Sequence, residues 1–155
     1  MKATHWITAA AALTFVQPAS AATTDPEVII YRFPGVRDDG GANNTGVATS
    51  FHCTNFSGAT ESLRLVTRDF DGTQKTNVSN NIHHLATMTF STHFTNAYGN
   101  ENGLGTSFLT QGTTAIAATS INIICTAETI DASAATPVGV ARRGIRFNPV
   151  PGSQE

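Results

Sequence analysis

The feature that most limits what this chain can fold into is its punctuation. Short runs rich in Val, Ile, Thr and Phe recur between clusters of Gly, Asn and Asp, and no segment of ten or more residues carries apolar side chains at helical spacing. Val28–Phe33 reads as a first strand, followed by a polar loop over 37–46 whose core, Asp39–Ala42, holds two glycines. Val47–Asn55 and Glu61–Phe70 read as the next two strands. Asp71-Gly72 then stands between β-prone runs, the strongest short hairpin signal. It returns the chain as Thr73–Val78, an exposed strand.

Ile82–Phe94 follows as a strand in which Met88, Phe90, Thr92 and Phe94 alternate with Thr87, Thr89, Ser91 and His93. Thr95–Gly105 is an Asn- and Gly-rich loop with Tyr98 near its middle, and loops of that length in compact domains tend to carry function. The β-prone stretch 112–130 exceeds an ordinary strand, so a hairpin with its tip near Thr119–Ser120 is expected there. Val138–Phe147 closes the domain. Eight or nine strands at this spacing predict an all-β, single-domain antiparallel β-sandwich.

The N-terminus predicts the compartment. Lys2 precedes the apolar run Trp6–Val16, which is too short to span a bilayer, and Pro18 with Ala19-Ser20-Ala21 supplies a break and a small-residue cleavage site. Residues 1–21 are therefore expected to be a signal peptide and 22–155 the sandwich domain, secreted or periplasmic. No cysteine follows the cleavage site and no second long apolar segment occurs, so no membrane anchor is expected. Cleavage removes one charged residue, Lys2, and leaves eight basic side chains against eleven acidic ones. That net charge of −3 argues against nucleic acid. A mature chain of 134 residues buries roughly two thirds of its unfolded surface and needs no cofactor to fold.

The chain has two cysteines, Cys53 and Cys125. In an exported chain a disulfide is the leading reading, with two buried free thiols or a catalytic or metal role as alternatives. Side chains alternate along a strand, so His52 and Cys53 point apart and cannot chelate one ion. Phe51 shares a face with Cys53, as do Ile121 and Ile123 with Cys125, which places both cysteines in phase with apolar residues.

Two cysteines on an early and a late strand, 72 residues apart in sequence, are similar to the inter-sheet bridge of immunoglobulin-like domains, and this resemblance implies an immunoglobulin-like sandwich. Asn-Thr-Gly-Val-Ala-Thr-Ser with Cys-Thr-Asn (44–55), Thr-Ser-x-Asn-Ile-Ile-Cys (119–125) and Arg-Phe-Asn-Pro-x-Pro-Gly-Ser-Gln-Glu (146–155) resemble uncharacterised exported bacterial proteins. That likeness implies no activity.

Candidate chemistry is sparse. His83, His84 and His93 invite a metal reading, but ten residues of strand would hold His83 about 33 Å from His93. No His or Met follows Cys125 closely enough to complete a blue-copper set. Asp69-Phe-Asp71-Gly72 lacks the later ligands of a calcium loop, and Asp38-Asp39 reads as a solvated turn or, at best, a weak ion site. No G-x-S-x-G or H-E-x-x-H occurs. Arg142, Arg143 and Arg146 form a small basic cluster that reads as an edge strand protected by charge, with contact to an acidic partner as the alternative. Sequons stand at Asn43, Asn55 and Asn77.

The expectation is thus a non-catalytic, metal- and cofactor-free binding or structural module with a protein or glycan partner. Asn96, Tyr98, Asn100 and Asn102 form its candidate binding loop, where Tyr98 either meets a ligand or packs back on the sheet. The alternative is a loop-assembled hydrolase or metal-dependent enzyme. That alternative requires Asp69, Asp71, His52, His83, His84 and His93 to converge on one cleft.

Overall fold

A computed structural model describes residues 26–151, so the expected signal segment Met1–Ala21 lies outside the described residues. Ten strands run in order: β1 (Val28–Asp38), β2 (Val47–Asn55), β3 (Glu61–Arg68), β4 (Gln74–Ile82), β5 (Thr87–Ser91), β6 (Glu101–Gly103), β7 (Leu109–Ala118), β8 (Ile123–Asp131), β9 (Gly139–Arg142) and β10 (Ile145–Pro151). They form two five-stranded sheets, ordered β10-β1-β7-β3-β4 and β6-β5-β2-β8-β9. All neighbours are antiparallel except β5 and β6. The expected all-β sandwich is present.

The ten strands exceed the expected eight or nine. β6 lies inside the segment read as a continuous loop, and the run Val138–Phe147 is cut in two at Arg143-Gly144, where the chain changes sheets. Gly144 lies against the Phe33 ring with no room for a Cβ, which explains glycine at that corner.

The expected strand Ile82–Phe94 is also interrupted. Ile82 ends β4, Leu85 adopts a left-handed φ of 62°, and the Ala86 amide donates to the His83 carbonyl, reversing the chain before β5. Asp71-Gly72 makes the predicted hairpin: Gly72 has φ 85° and donates to the Asp69 carbonyl, and β3 pairs with β4. β4 is an edge strand with mostly exposed residues, as expected.

The stretch 112–130 is not a hairpin. β7 and β8 belong to different sheets, and residues 119–122 arch over the end of the sandwich between them. Apolar composition cannot distinguish an arch from a hairpin, because both strands bury one face in either case.

Between the sheets lie Ile30, Phe33, Phe51, Leu63, Leu65, Ile82, Phe90, Leu109, Ile116 and Ile123, all essentially inaccessible to solvent. Phe33 of one sheet meets Phe51 of the other edge-on, with ring centroids 5.5 Å apart. Each such side chain contributes about 1.5–3 kcal/mol by leaving water.

Cys53 and Cys125 are joined by a disulfide and buried in this core. The bridge does not cross between sheets. Cys53 of β2 and Cys125 of β8 are directly opposed neighbours in one sheet, with Cα atoms 4.2 Å apart. The inter-sheet arrangement implied by the immunoglobulin resemblance is therefore corrected. Pairing of β2 with β8 over nine residues, Val47↔Asp131 to Asn55↔Ile123, sets the register that places the sulfurs together.

Candidate functional site

The six residues that an enzyme would have to bring together lie in four places. Asp69 and Asp71 sit in the β3–β4 turn. Asp69 pairs with Lys75 (3.2 Å), while Asp71 accepts from the Thr73 amide (2.9 Å), which holds its carboxyl below the ordinary carboxylate range. His83 and His84 occupy the β4–β5 turn at the opposite end. Their Nδ1 atoms bond the Thr60 hydroxyl (2.9 Å) and the Gly58 amide (3.0 Å) respectively. His52 and His93 each belong to a separate cluster.

His93 follows β5 and is buried against Asp38, at the end of β1. Its Nδ1 lies 2.9 Å from Asp38 Oδ2, and its Nε2 donates to the Thr45 carbonyl at 2.9 Å. Asp38 also accepts from the Gly40 amide (2.7 Å) and the Thr106 hydroxyl (3.2 Å). Asp39, whose carboxylate comes within 4.8 Å of the Asp38 and His93 donor atoms, accepts from the Gly41 and Val47 amides (3.1 and 2.8 Å). These three residues have the donor types of a metal site, yet their oxygens are committed to backbone and side-chain donors of the loop. The cluster is a staple that ties residues 39–46 to residues 93 and 106. Sequence reasoning treated Asp38 as a solvated turn; its burial depends on His93, 55 residues away, and no local pattern announces it.

The second cluster lies on the outer face of the β5-β2-β8 sheet. His52 on β2 opposes Thr89 and Thr126, and Glu128 lies two residues beyond Thr126 on the same face. His52 Nδ1 bonds the Thr89 hydroxyl at 3.0 Å. The loop after β5 folds back so that the Tyr98 ring meets the His52 imidazole edge-on, 4.7 Å between centroids, and the Tyr98 hydroxyl donates to Glu128. Desolvation, then the Glu128 hydrogen bond and the charges of Glu128 and Glu101, raise the Tyr98 phenol well above its usual range. The His52 Nε2 atom is buried without a hydrogen-bond partner, 3.6 Å from Glu128 Oε1. Nucleophilic chemistry requires a nucleophile held against a base. Here the imidazole stands between a threonine that it bonds and a phenol that donates elsewhere.

Of the candidate binding loop, Tyr98 is thus turned onto the sheet. Asn96 donates to the Ser133 carbonyl (3.0 Å) and Asn102 to the Thr89 carbonyl (3.2 Å), whereas Asn100 is exposed. Thr95 bonds Glu101 through both its amide and its hydroxyl. Among the sequons Asn55 is fully buried, its amide donating to the carbonyls of Ala59 (2.7 Å) and Ile82 (2.9 Å), so it is closed to glycosylation in the fold.

The stapled end of the sandwich carries exposed aromatic rings that the sequence reading passed over. Phe70 is 66% exposed, Phe108 56% and Phe94 42%. Phe108 stands against Gly40, where a Cβ would come within 3.1 Å of it, and the Phe94 ring rests on Gly103 at the same spacing. The Asn44 amide donates to the Phe94 carbonyl (2.7 Å), so the loop held by Asp38 and His93 also fixes the backbone at Phe94. A depression of about 550 Å³ opens nearby, lined by Gly46, Val47, Thr129, Ile130, Asp131 and Ser133.

No protein family, curated protein or solved structure matches the chain.

Proposed function

We propose that the chain is an exported, non-catalytic binding module whose contact end is the stapled loop end carrying Phe70, Phe94 and Phe108. The observation that carries this reading is the exposure of three phenyl rings at one end of the sandwich, Phe94 and Phe108 beside the loop that the buried Asp38–His93 pair holds and Phe70 in the hydrogen-bonded β3–β4 turn. Rigid loops lose little entropy on docking, and exposed aromatic rings are the residues that most often anchor an interface. The three rings are phenylalanines, not the Trp or Tyr on which sugar rings generally stack, which favours an apolar protein surface over a glycan as the partner. Export rests on the N-terminal residues and on the disulfide, which persists in oxidising compartments.

The test is capture of exported proteins from the native source by the immobilised mature chain. Combined Phe70→Ser, Phe94→Ser and Phe108→Ser substitutions should abolish capture and leave the melting temperature nearly unchanged. Phe56→Ser at the opposite end should capture normally. Equal capture by the triple variant places the contact elsewhere. Turnover of a substrate that ceases with His52→Ala or Glu128→Gln would establish the enzyme alternative instead.

A further inference from the structure

We propose that β9 is a self-pairing edge through which two copies of this chain join into one continuous sheet. β9 pairs with β8 on one side, and among the described residues no strand covers its other side. The Asp131 amide donates to the Val138 carbonyl (3.1 Å), and the register continues through Thr129↔Val140 and Ala127↔Arg142. In an antiparallel ladder these alternate residues point their amides and carbonyls at β8. Gly139 and Ala141 therefore turn theirs outward, and both residues are exposed.

The side chains between Pro137 and Arg142 carry no charge. Natural edge strands are protected by charge, proline or brevity. β4, the edge of the other sheet, has Lys75 and several exposed amide and hydroxyl side chains. β9 is short and is bounded by Pro137 and Arg142, but Arg142 is turned onto its own sheet, donating to the Thr129 hydroxyl (2.7 Å), and the residues between, Val138-Gly-Val-Ala141, are apolar. Val140 opposes Thr129, which shares the inner face of the sheet with Thr49 and Phe51. Even so, Val138 and Val140 remain 64% and 68% exposed, and Ile145 at the start of β10 is 57% exposed. The apolar inner layer thus runs out at this side before anything covers it.

A second copy fits because β9 is complementary to itself. With the two-fold axis at Val140, Gly139 of each copy pairs with Ala141 of the other, and all four outward groups on each strand find partners. Val140 then meets its own symmetry mate as a close non-hydrogen-bonded pair, the arrangement in which cross-strand apolar side chains interact best. Arg142 opposes Val138, so no arginine faces an arginine. This is an isologous, closed contact. A strand this short makes a small interface, and association in the micromolar-to-millimolar range follows.

Sedimentation equilibrium of the oxidised mature chain over that range tests the proposal. A monomer–dimer equilibrium is expected. Val140→Lys, which sets two like charges on the axis, and Ala141→Pro, which removes an outward amide without touching the β8 ladder, should each weaken dimerisation at least tenfold with unchanged melting at low concentration. A chain that stays monomeric throughout overturns the proposal. So does a dimer that persists in both variants.

Discussion

Removing the Cys53–Cys125 bridge gives the most quantitative check on the fold. The sequence separation is 72 residues, and releasing a loop of that size returns about 4.4 kcal/mol of chain entropy to the unfolded state. The native state should change little, because the opposed cysteines lie within a nine-residue ladder that holds β2 beside β8 without them. Cys53 is inaccessible and Cys125 is 6% exposed. Replacing both with Ala therefore adds a packing loss of about 1 kcal/mol at each site. Alanine is preferred to serine, whose hydroxyl would need a partner in an apolar layer. Guanidinium unfolding of oxidised, reduced and double-alanine protein separates the two contributions. Reduction alone should cost about 4 kcal/mol, and the double variant should lose somewhat more, with a fall in Tm on the order of 15 °C. A reduced protein within about 1 kcal/mol of the oxidised one would refute the argument, as would two titratable thiols in unfolded, unreduced protein.

His93→Ala should destabilise the domain by about 3 kcal/mol in the same assay, because it strips the buried Asp38 carboxyl of a hydrogen-bond partner; a loss no larger than that of a surface substitution would show that the staple is idle. Tyr98 should remain a neutral phenol where free tyrosine ionises, near pH 10, so absorbance at 295 nm should show delayed ionisation that Glu128→Gln reduces. The sign follows from a raised folded value: stability is unaffected below pH ~10 and declines as pH climbs above it. Asp71 has the opposite sign, since its lowered carboxyl stabilises the fold above the ordinary carboxylate range and that contribution disappears on acidification. Asp71→Asn should remove this part of the acid dependence while keeping the turn, and an unaltered acid limb would contradict it.

Strand composition, the Asp71-Gly72 turn and the cysteine partnership were legible in the sequence because each rests on neighbouring residues or on an element count of two. Whether a connection turns within a sheet or arches to the other was not legible. The apolar faces of β7 and β8 satisfy both topologies, and only the whole strand order decides between them. The inner buried hydroxyl pair Thr67–Thr114 (2.8 Å) and the outer-face pair Ser50–Ser91 (2.7 Å) were hidden for a related reason. A threonine or serine in a β-prone run looks like an exposed position until a partner on the adjacent strand supplies its hydrogen bond. The segment read as one long loop contains β6, and the meeting of Tyr98 with His52 and Glu128 depends on a parallel return along β5 that no residue pattern encodes.

The arched topology also governs how the chain reaches this state. Only β3–β4 and β8–β9 join sequence neighbours as antiparallel partners. The central ladders β1–β7 and β2–β8 require ends separated by most of the domain to find each other. Long closures must be made before their contacts repay them, which slows folding and keeps apolar strands exposed meanwhile. Folding should therefore take milliseconds to seconds. Cysteine oxidation ahead of β2–β8 docking would hold one of these long-closure ladders together, so refolding of the oxidised chain should outpace that of the reduced one.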